Sequence, residues 1–206
     1  MVATLVLAMQ VILGGLTVLH LLAYWSVTLH LLTGNLFMVL IALLAVRLAP
    51  APAENPMPRA AQRIAVALVA ALVVQMALGG LVSSNLAGLA CTEWPTCNGG
   101  VWFPVFDGIV GLHLVHRLGA YTLLAVSAAF WAVTGRRLVF ALVLAQGALG
   151  VANVLLAMPV EVAILHSALA DLVVLATMVA VFGVLRQPQM LRGRKTDPRW
   201  VSVEAK

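Results

Sequence analysis

The sequence predicts an all-α, polytopic membrane protein with six transmembrane helices arranged in three pairs. Of its 206 residues, 63% are hydrophobic and only 9% are charged, and the mean hydropathy is +1.08. A soluble domain carries roughly 25% charged residues, so a soluble enzyme, a disordered chain and a coiled coil are excluded. Six spans of about 20–22 residues use most of this length, which leaves no room for a soluble catalytic domain.

Each apolar run is long enough for a membrane helix and lacks the alternation of a membrane strand. Proline and glycine explain three of the breaks: four prolines lie within 50–58, Gly135 begins a tight turn, and Pro159 precedes the last run. The runs predict helices over 2–24, 26–48, 61–85, 108–134, 137–157 and 160–185.

Basic residues predict the orientation of these helices. If six spans alternate, 11 of the 12 lysines and arginines lie on one side, in the loop after the second helix, the loop after the fourth helix, and the tail. Lysine and arginine accumulate in cytoplasmic loops, so both termini are predicted to be cytoplasmic. The positive charge is therefore a topology signal in a lipid bilayer, and we expect no nucleic-acid partner.

An internal repeat relates the helix pairs. Gln10 precedes His30 by 20 residues, Gln146 precedes His166 by the same distance, and Gln75 begins a similar Q-x-x-L-G motif. Each motif alone is weak, because membrane helices favour glycine for close packing. Together they predict one four-helix bundle and half of a second, pseudo-symmetric bundle. The chain then divides into a helix pair (1–50), a proline-rich loop (51–60), the four-helix bundle (61–185) and a basic tail (186–206).

Three histidines, His30, His116 and His166, lie roughly two turns inside the outer ends of their helices. Polar residues within a membrane are costly and usually functional, although a single histidine could simply form hydrogen bonds between helices. Several at one depth favour ligation of a heme iron, because zinc would take three or four ligands. His113 lies one turn from His116, and only one of the two needs to be a ligand.

Arg117 is the only basic residue away from the cytoplasmic side. A buried arginine needs a partner, and a heme propionate fits. The alternatives are that Arg117 extends to the membrane surface or pairs with Asp107 or Glu161.

The only two cysteines, Cys91 and Cys97, lie in the long outer loop before the fourth helix. The outer side of the membrane is oxidising, so a disulfide is predicted. Spacing alone does not decide between a structural and a redox-active pair.

The loop sequence LGGLVSSNLAGLACTEWPTCNGGVWFP, followed by GLHLVHRLGAYTLL over 111–124, resembles the heme A synthase family. The resemblance implies eight helices in two pseudo-symmetric bundles of the cell (inner) membrane, with the heme sites toward the outer face. It implies heme b as cofactor, with His116 and His166 as axial ligands, and a disulfide between the two cysteines. It also implies heme O as substrate near His30, with its methyl group oxidised to the formyl group of heme A for terminal oxidase assembly.

The family's first two helices and its catalytic glutamate have no counterpart in this sequence, so the catalytic residue is unknown. We therefore expect a fragment, a natural short form, or a chain completed by a homo-oligomer or another subunit. Two alternatives remain at this stage: a non-catalytic heme b protein that transfers electrons or holds heme, and a structural membrane subunit.

Overall fold

The computed structural model describes residues 1–48 and 57–186. The six long secondary-structure elements in these ranges are all α-helices, and each is long and apolar enough to cross a membrane. The predicted all-α class with six membrane-length helices is confirmed. The predicted proline-rich loop (at 51–56) and basic tail (at 187–206) lie outside the described residues. The helices are α1 (Val2–Leu19), α2 (Tyr24–Leu48), α3 (Arg59–Ser84), α4 (Gly108–Thr134), α5 (Arg137–Leu155) and α6 (Val160–Leu185).

Two helices end earlier than the apolar pattern predicts. The first was expected to reach residue 24, but the chain reverses at Leu21 and Leu22, whose φ angles are 49° and 62°. The fifth was expected to reach residue 157, but Ala157 and Met158 adopt φ angles of 57° and 59°. These left-handed conformations stop a helix, and no glycine marks them because all four positions are occupied by apolar side chains.

The two turns have the same hydrogen bonds. Leu22 N–H donates to the carbonyl of Thr17 at 2.8 Å, and Met158 N–H donates to the carbonyl of Asn153 at 2.7 Å. Hairpins α1–α2 and α5–α6 are thus copies of one local structure, and the repeat seen in the sequence extends to the backbone.

Helices α3 to α6 form a ring in which each helix packs on the next and α6 packs on α3. Helix α2 lies outside the ring against α3 and α6, and α1 packs on α2 alone among the described elements. Gly80 on α3 lets the two helices α2 and α3 pack closely, because a Cβ at this position would lie only 3.1 Å from Oγ1 of Thr28 on α2.

The packed core fills only one half of the ring. Its fully buried side chains surround the α4–α5 turn and include Leu68, Phe130, Val139 and Val184. Across the ring, α4 and α6 have no Cα atoms within 8 Å of each other along their described lengths. In the other half of the bundle the side chains of His116 on α4 and His166 on α6 are only part-buried. We refer to the space between α4 and α6 in this half as the α4–α6 gap.

Candidate functional site

Each of the three histidines lies over a glycine of the preceding helix. A Cβ on the glycine would lie only 3.0–3.4 Å from Cε1 of the histidine, so a larger residue would force the ring to move. The glycine lets the Cε1 edge of the imidazole approach the neighbouring backbone. The pairs are Gly14 with His30, Gly79 with His116, and Gly150 with His166.

A glutamine one turn before each glycine contacts the same histidine. Gln10 Nε2 lies 3.4 Å from His30 Nε2, and Gln146 Nε2 donates to the main-chain oxygen of His166 at 2.9 Å. The third glutamine, on α3, contacts both the ring and the main chain of its histidine. The sequence repeat is therefore a repeated Gln–Gly–His contact between paired helices.

His116 and His166 are neighbours across the gap. They are close enough for a charge on one ring to act on the other, although their helices are not in contact. The ring of His166 lies near the main-chain oxygen of Gln146, but its buried Nδ1 makes no well-aligned hydrogen bond within the described ranges. Two neighbouring imidazoles on helices that do not touch would fit a planar group ligated from both sides, as heme is in a helical bundle.

His113 faces a different direction from His116. It is only 4% exposed, and its Nδ1 accepts a long hydrogen bond, 3.4 Å, from the backbone N–H of Cys91. His113 thus contacts the outer loop, whereas His116 contacts α3. The sequence left open whether His113 or His116 is the ligand. Of the two, His116 is the one that takes part in a Gln–Gly–His contact, which it makes with α3.

Arg117 holds the outer loop against α4. Its guanidinium donates to the main-chain oxygens of Glu93 at 2.8 Å, Thr96 at 3.0 Å and Cys91 at 3.3 Å. A propionate partner for Arg117 stays a prediction, and any such contact would have to share this guanidinium with the loop. The partners found here are backbone carbonyls, which the sequence reasoning did not consider.

The outer loop has its own internal network. Cys91 and Cys97 form the predicted disulfide. The Glu93 carboxylate accepts hydrogen bonds from the N–H of Gly99 at 3.1 Å, the N–H of Gly100 at 3.0 Å and the hydroxyl of Thr96 at 3.1 Å. The N–H of Gly100 and then that of Gly99 lower the pKa of Glu93 the most, because both stabilise its charged form.

His30 lies in the interface between α1 and α2, separate from the α4–α6 gap. Its Gln10 partner also accepts a hydrogen bond from the hydroxyl of Thr33. His30 Nδ1 is buried without a partner among the described residues. Because α1 packs only on α2 among the described helices, His30 lies in a two-helix interface outside the ring.

In the sequence, the three glutamines appear only as markers of the repeat. The structure makes Gln10, Gln75 and Gln146 direct neighbours of the candidate ligands. A signal was present, because a glutamine in the middle of an apolar helix needs a polar partner, and the histidine of the next helix is one such partner in each pair.

The sequence of this chain is similar to those of several known proteins. The COX15-CtaA family, described as cytochrome oxidase assembly protein, matches residues 1–178. Heme A synthase of Methylobacterium nodulans is 35% identical over 168 residues, which cover 70% of this chain and 46% of that protein. Heme A synthase of Chelativorans sp. is 35% identical over 136 residues (54% and 37%), and that of Brucella anthropi is 31% identical over 189 residues (81% and 52%).

The chain spans about half the length of the curated relatives it matches. The family match covers most of the chain, including the disulfide loop and both hairpins that carry the repeat. The chain therefore belongs to the COX15-CtaA family of cytochrome oxidase assembly proteins, and its six membrane-length helices make it a multi-pass membrane protein.

Proposed function

We propose that this chain carries the heme b site of a heme A synthase-like oxidoreductase and one wall of its heme O site. The proposed reaction oxidises the methyl group of heme O to the formyl group of heme A for terminal oxidase assembly. It consumes one water and releases four protons and four electrons, which would leave through the heme b site to an external electron acceptor. The names of the relatives support the reaction. One observation carries the site: His116 and His166, each packed against a glycine of the preceding helix, are neighbours across the ring although their helices do not touch.

In the proposed site, His116 and His166 each provide one imidazole nitrogen from opposite sides of the gap. Gly79 and Gly150 support the rings from behind, so the imidazoles are held before the cofactor binds. When bound, heme b supplies one-electron redox chemistry next to the substrate site. The packed half of the ring below the gap keeps α4 and α6 at a fixed spacing, which favours ligation from both sides over collapse of the site.

The proposed heme O site lies at His30. Since α1 packs only on α2 within residues 1–48 and 57–186, we propose that further helices complete this site, from a longer form of the chain, a second copy or another subunit. The catalytic acid or base of the reaction would come from those helices, because no glutamate of this chain lies beside His30 in the sequence.

The proposed orientation places both termini in the cytoplasm of the cell membrane and the histidine layer toward the outer face. The distribution of lysine and arginine supports it. Reporter fusions after residue 206 and at Asn98 test it, with cytoplasmic activity expected for the first and outer activity for the second. The reverse pattern would overturn the orientation.

Heme content tests the site. The purified protein should show a low-spin heme b spectrum, which His116→Ala and His166→Ala should each abolish. His113→Asn should keep the spectrum because His113 faces the loop, and His20→Ala, at the exposed end of α1, is the matched control. A folded wild-type protein that lacks heme would refute the site, and loss of heme in His113→Asn alone would refute the choice of His116.

Formation of heme A tests the reaction. The chain is expressed with a heme O supply, with and without a full-length relative that lacks its own heme b histidines. Heme A that appears only with that relative would support a site completed by other helices. If the chain binds heme b but no heme A forms under either condition, the proposed reaction is contradicted and the proposed cofactor site still stands.

A further inference from the structure

The three glutamines differ in what they contact. Gln75 Nε2 lies 3.2 Å from His116 Nδ1 and donates to the main-chain oxygen of His116 at 3.1 Å. Gln146 Nε2 contacts only the main-chain oxygen of His166, at 2.9 Å. The residues stand at equivalent positions of the repeat, but of these two glutamines only Gln75 has a side-chain contact with a ring nitrogen of its histidine, Nδ1 of His116.

An imidazole that binds a metal through one nitrogen carries its proton on the other, and that N–H needs an acceptor. Because the amide of Gln75 occupies the Nδ1 side of His116, Nε2 is the nitrogen left for a metal. Gln75 Oε1 is buried and has no partner among the described residues. A rotation of the amide about its terminal bond would bring this oxygen to Nδ1–H, in exchange for the hydrogen bond to the main chain.

Helix α4 leaves room for this amide. A Cβ on Gly119, one turn after His116, would overlap Gln75 Oε1. The amide therefore lies between the imidazole and a position without a side chain, and a larger residue at 119 would displace it. The atom displaced is the far end of a flexible side chain, so the helices themselves would stay in place.

We propose that Gln75 is a positioning residue for His116, which directs Nε2 toward the gap and accepts a hydrogen bond from Nδ1–H once Nε2 binds iron. This inference rests on the proposed ligation of heme iron by His116. A hydrogen bond accepted from Nδ1–H makes the imidazole a stronger donor to the metal. It thus favours ferric over ferrous iron and lowers the reduction potential of the heme.

The potential of the purified, heme-loaded protein tests the inference. Gln75→Leu removes the acceptor and should raise the midpoint potential, by about 59 mV for a tenfold loss of preference for ferric iron. Gln75→Glu offers a stronger acceptor and should lower the potential below that of the wild type. Heme affinity of Gln75→Leu should fall by about 10- to 100-fold, as for other residues that support a metal ligand.

Gln146→Leu is the matched control, because it removes a glutamine at the same repeat position that contacts no ring nitrogen. It should leave the potential unchanged. Gly119→Ala should shift the potential in the same direction as Gln75→Leu, without altering either histidine or glutamine. If Gln75→Leu binds too little heme to measure, Gln75→Glu and Gly119→Ala still give opposite expected shifts.

The outcomes separate this inference from the proposed function. Wild-type protein without heme would defeat both. Two results would overturn the role of Gln75 but leave the heme site standing. One is bound heme whose potential is unchanged in both Gln75→Leu and Gln75→Glu. The other is an equal shift of the potential in Gln75→Leu and Gln146→Leu.

Discussion

Replacing Arg117 by leucine tests whether this arginine mainly holds the outer loop. The guanidinium donates to three main-chain oxygens, at 2.8, 3.0 and 3.3 Å. The longest of these exceeds the usual range for an N–H···O bond, so two bonds are counted. A hydrogen bond to a charged group contributes about 1.5–3 kcal/mol. Because the side chain is only half-buried, the lower end applies, and Arg117→Leu should cost about 3 kcal/mol.

The assay is thermal unfolding of the heme-free protein in detergent, followed by tryptophan fluorescence. A loss of about 3 kcal/mol corresponds to a decrease of about 6–12 °C for a chain of this size. Tyr121→Phe is the matched control, since it removes one neutral, exposed hydrogen bond to Trp94 between the same loop and helix. It should lower the unfolding temperature by no more than about 4 °C.

The heme-free state makes the result decisive. If Arg117 acts chiefly on a heme propionate, Arg117→Leu loses heme but the heme-free protein unfolds at the wild-type temperature. That result would refute the loop-holding role derived from the three carbonyl contacts. A lower unfolding temperature without heme supports that role whatever happens to heme binding.

Three further predictions follow from the loop and the repeat. The pKa of Glu93 lies below its usual 4.5, so the charged carboxylate stabilises the loop at neutral pH. This stabilisation is lost as the pH falls through the lowered pKa. The unfolding temperature of Glu93→Gln should therefore change less between pH 7 and pH 3 than that of the wild type. Replacing Cys91 and Cys97 together by serine should cost about 2 kcal/mol, given the short loop that the disulfide closes, as measured by thermal unfolding with and without reductant. Gly150→Val should displace the imidazole that lies 3.3 Å from its added Cβ and lower heme content, whereas Gly147→Val, with nothing within 4 Å, should not.

Each of these has a clear contrary result. An unchanged acid dependence in Glu93→Gln would show that another group controls the loop. Equal unfolding of the reduced and oxidised protein would mean that the cysteines add no stability. Equal heme content in the two valine variants would contradict the close contact between glycine and histidine.

The sequence predicted the helices well where composition decides them. Five of the six helices agree with the apolar pattern within about two residues, since proline, glycine or charge marks most of their ends. The outer ends of α1 and α5 were predicted too long, because leucine, alanine and methionine occupy the left-handed positions of the turns. Nothing in the local sequence distinguishes these apolar residues from one more turn of helix.

The candidate site was predictable in outline but not in its contacts. The repeat and the depth of the histidines indicated the layer that contains His116 and His166. The direction in which His113 faces depends on the fold of the cysteine loop, which no periodicity encodes. The carbonyl partners of Arg117 were missed for the same reason, because backbone groups of a folded loop leave no residue signature.

The Gln–Gly–His contacts also suggest an order of assembly in the bilayer. In hairpins α1–α2 and α5–α6 the contacting glutamine and histidine are separated by 20 residues, whereas Gln75 and His116 are separated by 41. Closing a loop twice as long costs only about 0.6 kcal/mol more, and the disulfide, which joins residues only six positions apart, shortens the longer path little. The three contacts therefore form at similar entropic cost, and each hairpin can close as soon as its two helices are inserted. His116 and His166 belong to different hairpins, so the gap between α4 and α6 is completed only when the closed hairpins pack together.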